Sequence, residues 1–105
     1  MIGAGTYADN ATCAVSATGH GEFFIRFAAA HELAARLRHR REDLPTAARA
    51  VVDELGPVGG SGGLVAVGRN GGPVLPFNCS GMYRGYVNPD GIVYTAIYDE
   101  PYRSA

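Results

Sequence analysis

Apolar and polar positions alternate in three different ways along this chain, and each change marks an element. Cys13-Ala14-Val15-Ser16-Ala17 is small and β-compatible, and it runs into Thr18-Gly19-His20-Gly21. An apolar pattern with helical spacing follows. Phe23, Phe27, Ala30, Ala34 and Leu37 recur at i, i+4, i+7, i+11 and i+14, with Phe24, Ala28 and Leu33 beside them. The spacing predicts a strand, a tight glycine turn, and one long helix with a wide buried stripe. Asp43 is a good N-cap for a second helix, and Pro45 falls in its first turn, where a missing N–H matters little. Leu44, Ala47, Ala48, Val51, Val52 and Leu55 form its apolar face, and Gly56-Pro57 ends it.

After residue 58 the period shortens. Leu64–Val67 and Val74–Phe77 flank Arg69-Asn70-Gly71-Gly72, which predicts a hairpin turning at Asn70-Gly71. Pro76 ends the second strand or places it at an edge. Met82–Val87 and Ile92–Tyr98 flank Asn88-Pro89-Asp90-Gly91, a second hairpin. Tyr83, Tyr86, Tyr94 and Tyr98 are expected to cover a half-buried sheet face. Met1 to Ala11 reads as a glycine turn followed by loop, with no strand before Cys13. Gly59-Gly60-Ser61-Gly62-Gly63 reads as a flexible linker or a phosphate cradle, but it lacks the Lys-Ser/Thr of a P-loop. The order of strand, two helices, then several strands is an α+β layer arrangement.

Composition narrows the function classes. The chain has 105 residues, 47% hydrophobic and 18% charged, with a formal net charge of −1. That describes one globular domain at most and gives no basis for binding nucleic acid or an anionic membrane. The basic run Arg36-Leu37-Arg38-His39-Arg40-Arg41 is expected to be a solvated helix C-terminus that complements the dipole. No stretch is long and apolar enough to span a bilayer, and no signal peptide is read at the start. Two cysteines, Cys13 and Cys79, are too few for a disulfide scaffold, so free thiols and a cytoplasmic location are expected. His31 has no second ligand at helical spacing, so no metal site is expected there; no cofactor is expected.

The turn at Thr18-Gly19-His20-Gly21 is the candidate for chemistry. Two glycines in four residues permit positive φ and close approach to the main chain, and such a turn can aim N–H groups at an anion. On spacing alone the favoured reading is the structural one, a mere change of direction between strand and helix.

The motifs carry a further reading. Gly3-Ala4-Gly5-Thr6-Tyr7-Ala8-Asp9-Asn10, Ala14–Glu22, Gly59–Leu64, Pro76-Phe77-Asn78 and Gly81-Met82-Tyr83-Arg84 together resemble the isoaspartyl peptidase/L-asparaginase family of N-terminal-nucleophile hydrolases. The resemblance covers nearly the whole chain in order. It implies a four-layer αββα fold made as a self-cleaving precursor. The new N-terminal threonine attacks the side-chain amide of asparagine or a β-aspartyl peptide bond, with its own α-amino group as base. It further implies that Thr18, through its hydroxyl, and Gly19, through its N–H, form the oxyanion hole. Thr18, Gly19, His20 and Gly21 together correspond to the substrate-contacting turn.

The family's nucleophilic threonine and its substrate-gripping arginine and aspartate have no counterparts here. Residues 1–105 are therefore expected to be a single partial domain, most of a β subunit, acting on a small-molecule or dipeptide substrate. Their expected partners are the α subunit and the nucleophile-bearing segment, assembled in the full enzyme as two α and two β subunits. The alternative is a non-catalytic remnant acting as an interaction module on a related subunit.

Overall fold

The computed structural model describes residues 1–104. Its centre is a four-stranded antiparallel sheet in the order β1 (Thr6–Ala8), β2 (Cys13–Gly19), β3 (Gly62–Gly68), β4 (Pro73–Val74). The two long strands lie in the middle, paired from Cys13↔Gly68 to Gly19↔Gly62. β1 is a correction to the sequence reading, which put loop there. Three residues are too short to show a period, and the strand exists because Tyr7 pairs with Val15. It also means that β2 is flanked on both sides and that the exposed edges are short.

One face of the sheet is covered by α1 (Gly21–Arg26), α2 (Ala29–Ala35) and α3 (Leu44–Leu55). The alternation along each central strand assigns the faces. Cys13, Val15, Leu64 and Ala66 are buried against the helices, whereas Ser16, Thr18, Val65 and Val67 lie on the uncovered side. Leu33, Val52, Leu55 and Leu64 are the largest fully buried side chains. At about 25 cal/mol per Å² of apolar surface, each contributes on the order of 2 kcal/mol. Asp43 caps α3 as expected: its Oδ1 accepts the Thr46 N–H at 3.2 Å.

The first helix is not one helix. It breaks at Ala28, a non-glycine residue with φ 47° and ψ 54°, a conformation that costs roughly 1–2 kcal/mol. Tertiary contacts offset it. After the bend the α2 amides meet the N-terminal turn, His31 N–H donating to the Gly3 carbonyl at 2.8 Å and Ala30 N–H to Ala4 at 3.1 Å. Ala29, Ala30 and Leu33 then pack fully inside, while Phe27, placed by periodicity on the buried stripe, is exposed. α2 continues into a wider π-helical turn over Arg36–Arg40.

The basic run also departs from expectation. Arg36 is buried, and its guanidinium meets Glu32 at 3.1 Å, Glu42 at 3.4 Å and, in close contact, Glu54. Burial works against its charge, but the three carboxylates prevail and hold its pKa above the ordinary arginine value. The other basic residues of the run, Arg38, His39, Arg40 and Arg41, are on the surface.

Both hairpins form. β3 and β4 turn at Gly71 (φ 80°), and β5 (Arg84–Val87) pairs with β6 (Val93–Ala96) around the turn closed by Gly91 N–H to Asn88 O. A short β7 (Arg103–Ser104) completes this second, three-stranded sheet. The tyrosines divide: Tyr86 stacks on Tyr94 with centroids 5.1 Å apart, whereas Tyr83 and Tyr98 are exposed. Cys13 and Cys79 are unpaired thiols. Among the described residues, no helix is long and apolar enough to cross a membrane.

Candidate functional site

The four residues of the glycine turn occupy the junction of β2 and α1. Thr18 and Gly19 end the strand, His20 is the helix N-cap, and Gly21 opens the helix. All four are exposed. Thr18 lies on the uncovered face, two residues from Ser16, and borders a cleft of about 310 Å³ closed on its other side by Leu75, Met82, Tyr83 and Arg84.

Gly19 has no room for a side chain. Its φ is 143°, and a Cβ there would lie 2.2 Å from the Ser61 carbonyl oxygen and 2.8 Å from the Gly62 Cα. Gly62 is constrained reciprocally, since its Cβ would stand 2.1 Å from the Thr18 carbonyl oxygen. The glycine run is therefore no linker. Gly62 and Gly63 are the first residues of β3 and sit directly across from Gly19 and Thr18. Position 62 must be glycine because two backbones cross there at a separation no Cβ allows.

The backbone donors of the turn fare differently. His20 N–H is not free, because it donates to the Ser61 carbonyl at 3.0 Å. Ala17 N–H donates to Gly5 O at 2.8 Å, on the β1 side of the strand. By the alternation of an antiparallel ladder, Gly19 N–H faces that same side, beyond the last β1–β2 pair at Ser16. It therefore remains available to a ligand oxygen.

His20 turns its ring back onto the glycine run. Nδ1 is 2.9 Å from Gly59 O and 3.4 Å from Ser61 N. Both contacts tie the ring through Nδ1 to the Gly59–Ser61 segment. Gly21 contrasts with Gly19: a Cβ there would meet nothing within 4 Å. Nothing in this chain's own packing requires glycine at position 21.

Asn78 is the residue that pattern reasoning passed over. Its Oδ1 accepts Gly62 N–H at 2.7 Å, and its Nδ2 donates to Gly60 O at 2.8 Å and Val52 O at 2.9 Å. Its own N–H donates to Gly62 O at 2.9 Å. Pro76-Phe77-Asn78 stood among the matching motifs, but no periodicity or spacing distinguishes this asparagine from a loop residue.

Helices on one face of an antiparallel sheet, with a rigid glycine junction beside a cleft on the other face, define an α+β domain whose candidate site lies on its uncovered side. The family model described as asparaginase matches residues 1–97. The isoaspartyl peptidases of Salmonella typhimurium (strain LT2) and Escherichia coli (strain K12) are each 46% identical over 101 residues, covering 95% of this chain and 32% of the relative. The chain belongs to the isoaspartyl peptidase/L-asparaginase family. It spans about a third of the length of these curated relatives.

Proposed function

We propose that this chain forms the oxyanion and substrate-binding side of a threonine-nucleophile hydrolase that cleaves the asparagine side-chain amide or a β-aspartyl peptide bond. The observation that carries the reading is the Thr18–Gly19 junction. It offers a hydroxyl on the uncovered face and an N–H at an open strand edge, one residue apart, on a backbone too crowded to shift.

In this reading the nucleophilic threonine comes from a segment outside these 105 residues, with its α-amino group as base. Attack on the amide carbon pushes charge onto the carbonyl oxygen. Thr18 Oγ1–H and Gly19 N–H donate to that oxygen as its charge develops. A donor held before the reaction needs no reorganisation during it, which is the use of a backbone locked by glycine contacts. His20 and Gly21 line the same turn, and the open space above Gly21 admits the polar end of the substrate. Departure of ammonia or the amine leaves an acyl-enzyme, which water then hydrolyses. No metal or cofactor takes part in this scheme.

The uncovered sheet face, with Val65 and Val67 about 40% exposed, would be closed by a second β layer in an αββα assembly of α and β subunits. That same face supports the second reading, an interaction module that docks on a related subunit without catalysing anything.

The test is to co-express the chain with the remaining, nucleophile-bearing portion of the enzyme and compare Thr18→Val with Glu22→Gln. Thr18→Val removes one donor at nearly constant volume. It should lower turnover roughly 100-fold or more, with substrate binding less affected. Glu22→Gln changes only a helix-start charge and should alter turnover a few-fold at most. Equal behaviour of the two variants would refute the oxyanion role. An inactive assembly that still binds its partner would favour the interaction module.

A further inference from the structure

We propose that Asn78 is the positioning residue of the Thr18–Gly19 turn, acting through Gly62 without touching the substrate.

The chain of contacts is short and each link is constrained. Gly62 presents two backbone polar atoms, and Asn78 engages both: its side-chain Oδ1 accepts the N–H at 2.7 Å, and its main-chain N–H donates to the carbonyl at 2.9 Å. The rest of the carboxamide is anchored elsewhere. Nδ2 donates one proton to Gly60 O and the other to Val52 O. Two carbonyls on one side and an N–H on the other admit only one orientation of the amide, so the group cannot flip and keep its bonds.

The anchor is the hydrophobic core itself. Val52 is buried, and its carbonyl belongs to the last turn of α3, where intrahelical donors run out. Asn78 thus ties the end of a core helix to the start of β3. Gly62 in turn sets the turn by contact, because its Cα is 2.8 Å from where a Gly19 Cβ would be and the two backbones touch. A displacement of Gly62 toward β2 presses directly on Thr18–Gly19. An interaction of this kind affects a reaction through geometry, and a shift of about 1 Å in a donor can cost on the order of 100-fold in rate.

The catalytic consequence rests on the hydrolase reading above; the mechanical claim does not. The full chain is co-expressed with the nucleophile-bearing portion, as wild type, Asn78→Asp and Asn78→Ser. Asn78→Asp keeps size and the acceptor for Gly62 N–H but sets a carboxylate oxygen against two carbonyls. Asn78→Ser removes the bridge while leaving room for water. Two measurements are made on each: kcat and KM with a β-aspartyl dipeptide, and amide hydrogen exchange resolved to His20, Gly60–Gly63 and the centre of α3.

The expected result is at least tenfold faster exchange at His20 and across Gly60–Gly63 with α3 protection unchanged. It is accompanied by a fall in kcat of about tenfold or more, with KM within about threefold. Unchanged exchange at His20, whose N–H donates to Ser61 O, overturns the proposal. So does faster exchange everywhere, including α3, which would make Asn78 an ordinary stability residue. Failure of both variants to yield soluble assembly overturns it on the same ground. If the wild-type assembly is inactive, or Thr18→Val leaves its rate unchanged, the hydrolase reading fails and exchange alone decides the position of Asn78.

Discussion

The two ends of the β2–β3 ladder are built to different tolerances. At the Gly19↔Gly62 end the backbones meet closer than a Cβ permits, both polar atoms of Gly62 are bonded to Asn78, and His20 folds back onto Gly59. At the Cys13↔Gly68 end the structure is slack. A cavity of about 420 Å³ opens there between Thr12, Leu44, Arg69 and Pro73, and the buried Thr12 hydroxyl has no hydrogen-bond partner. The adjoining hairpin carries Gly71 and Gly72 in open space. One strand pair thus separates a rigid end from an adaptable one. The rigid end holds the residues proposed to do chemistry, in keeping with the need of a preorganised site for a fixed frame.

Substitution at the glycines is the most direct way to break this contrast. Gly62→Ala should be the most damaging, because its methyl would lie 2.1 Å from a main-chain oxygen that cannot rotate away. A loss of more than about 3 kcal/mol is expected from overpacking and backbone strain together, read as a fall in the denaturant midpoint followed by circular dichroism. Gly68→Ala is the matched substitution at the slack end. Its methyl would be 3.2 Å from the Leu44 Cδ2 methyl, which can turn aside, so at most about 1 kcal/mol should be lost. Equal losses at the two positions would remove the distinction.

A smaller effect sharpens the contrast through pH. Burial pushes the Cys13 thiol up, outweighing the opposing influence of the adjacent Thr12 side chain, and the nearby Asp9 carboxylate pushes it the same way. A raised thiol favours its neutral form in the folded state. The resulting stability is fully present below the ordinary thiol range, near pH 8.5, and is lost as pH rises through the raised value. Cys13→Ser should flatten that alkaline decline in a pH series of unfolding midpoints. Smallest of all, Gly72→Ala should leave stability within about 0.5 kcal/mol, since its methyl points into open space.

Legibility followed the range of the interaction responsible. α3 could be read from Asp43, Pro45 and a regular stripe because cap and period are local. The hairpins at Asn70-Gly71 and Asn88–Gly91 were legible for the same reason. The break at Ala28 was not, because it is stabilised by carbonyls of Gly3 and Ala4, more than twenty residues away. Arg36 looked like a surface cation until Glu42 and Glu54 were brought round it. At the candidate site, Thr18–Gly21 stood out by its glycine spacing. Its counterpart Gly62 looked like linker, since only the fold brings it against Gly19. Asn78 had no signal beyond its place in a shared motif.

The glycine junction also acts as a gauge for strand register. A one-residue slip of β2 on β3 would send Leu64 and Ala66 from the helix-covered side to the open side, and hydrophobic burial forbids it. A two-residue slip keeps every side chain on its proper face, so burial alone would not detect the error. It would, however, set Leu64 against Gly19 in one direction or Ala17 against Gly62 in the other. Either would place a Cβ where the two backbones leave no space. Face alternation therefore rejects odd slips and the glycines reject even ones. Between them they define a single alignment for two strands that must find each other across three intervening helices.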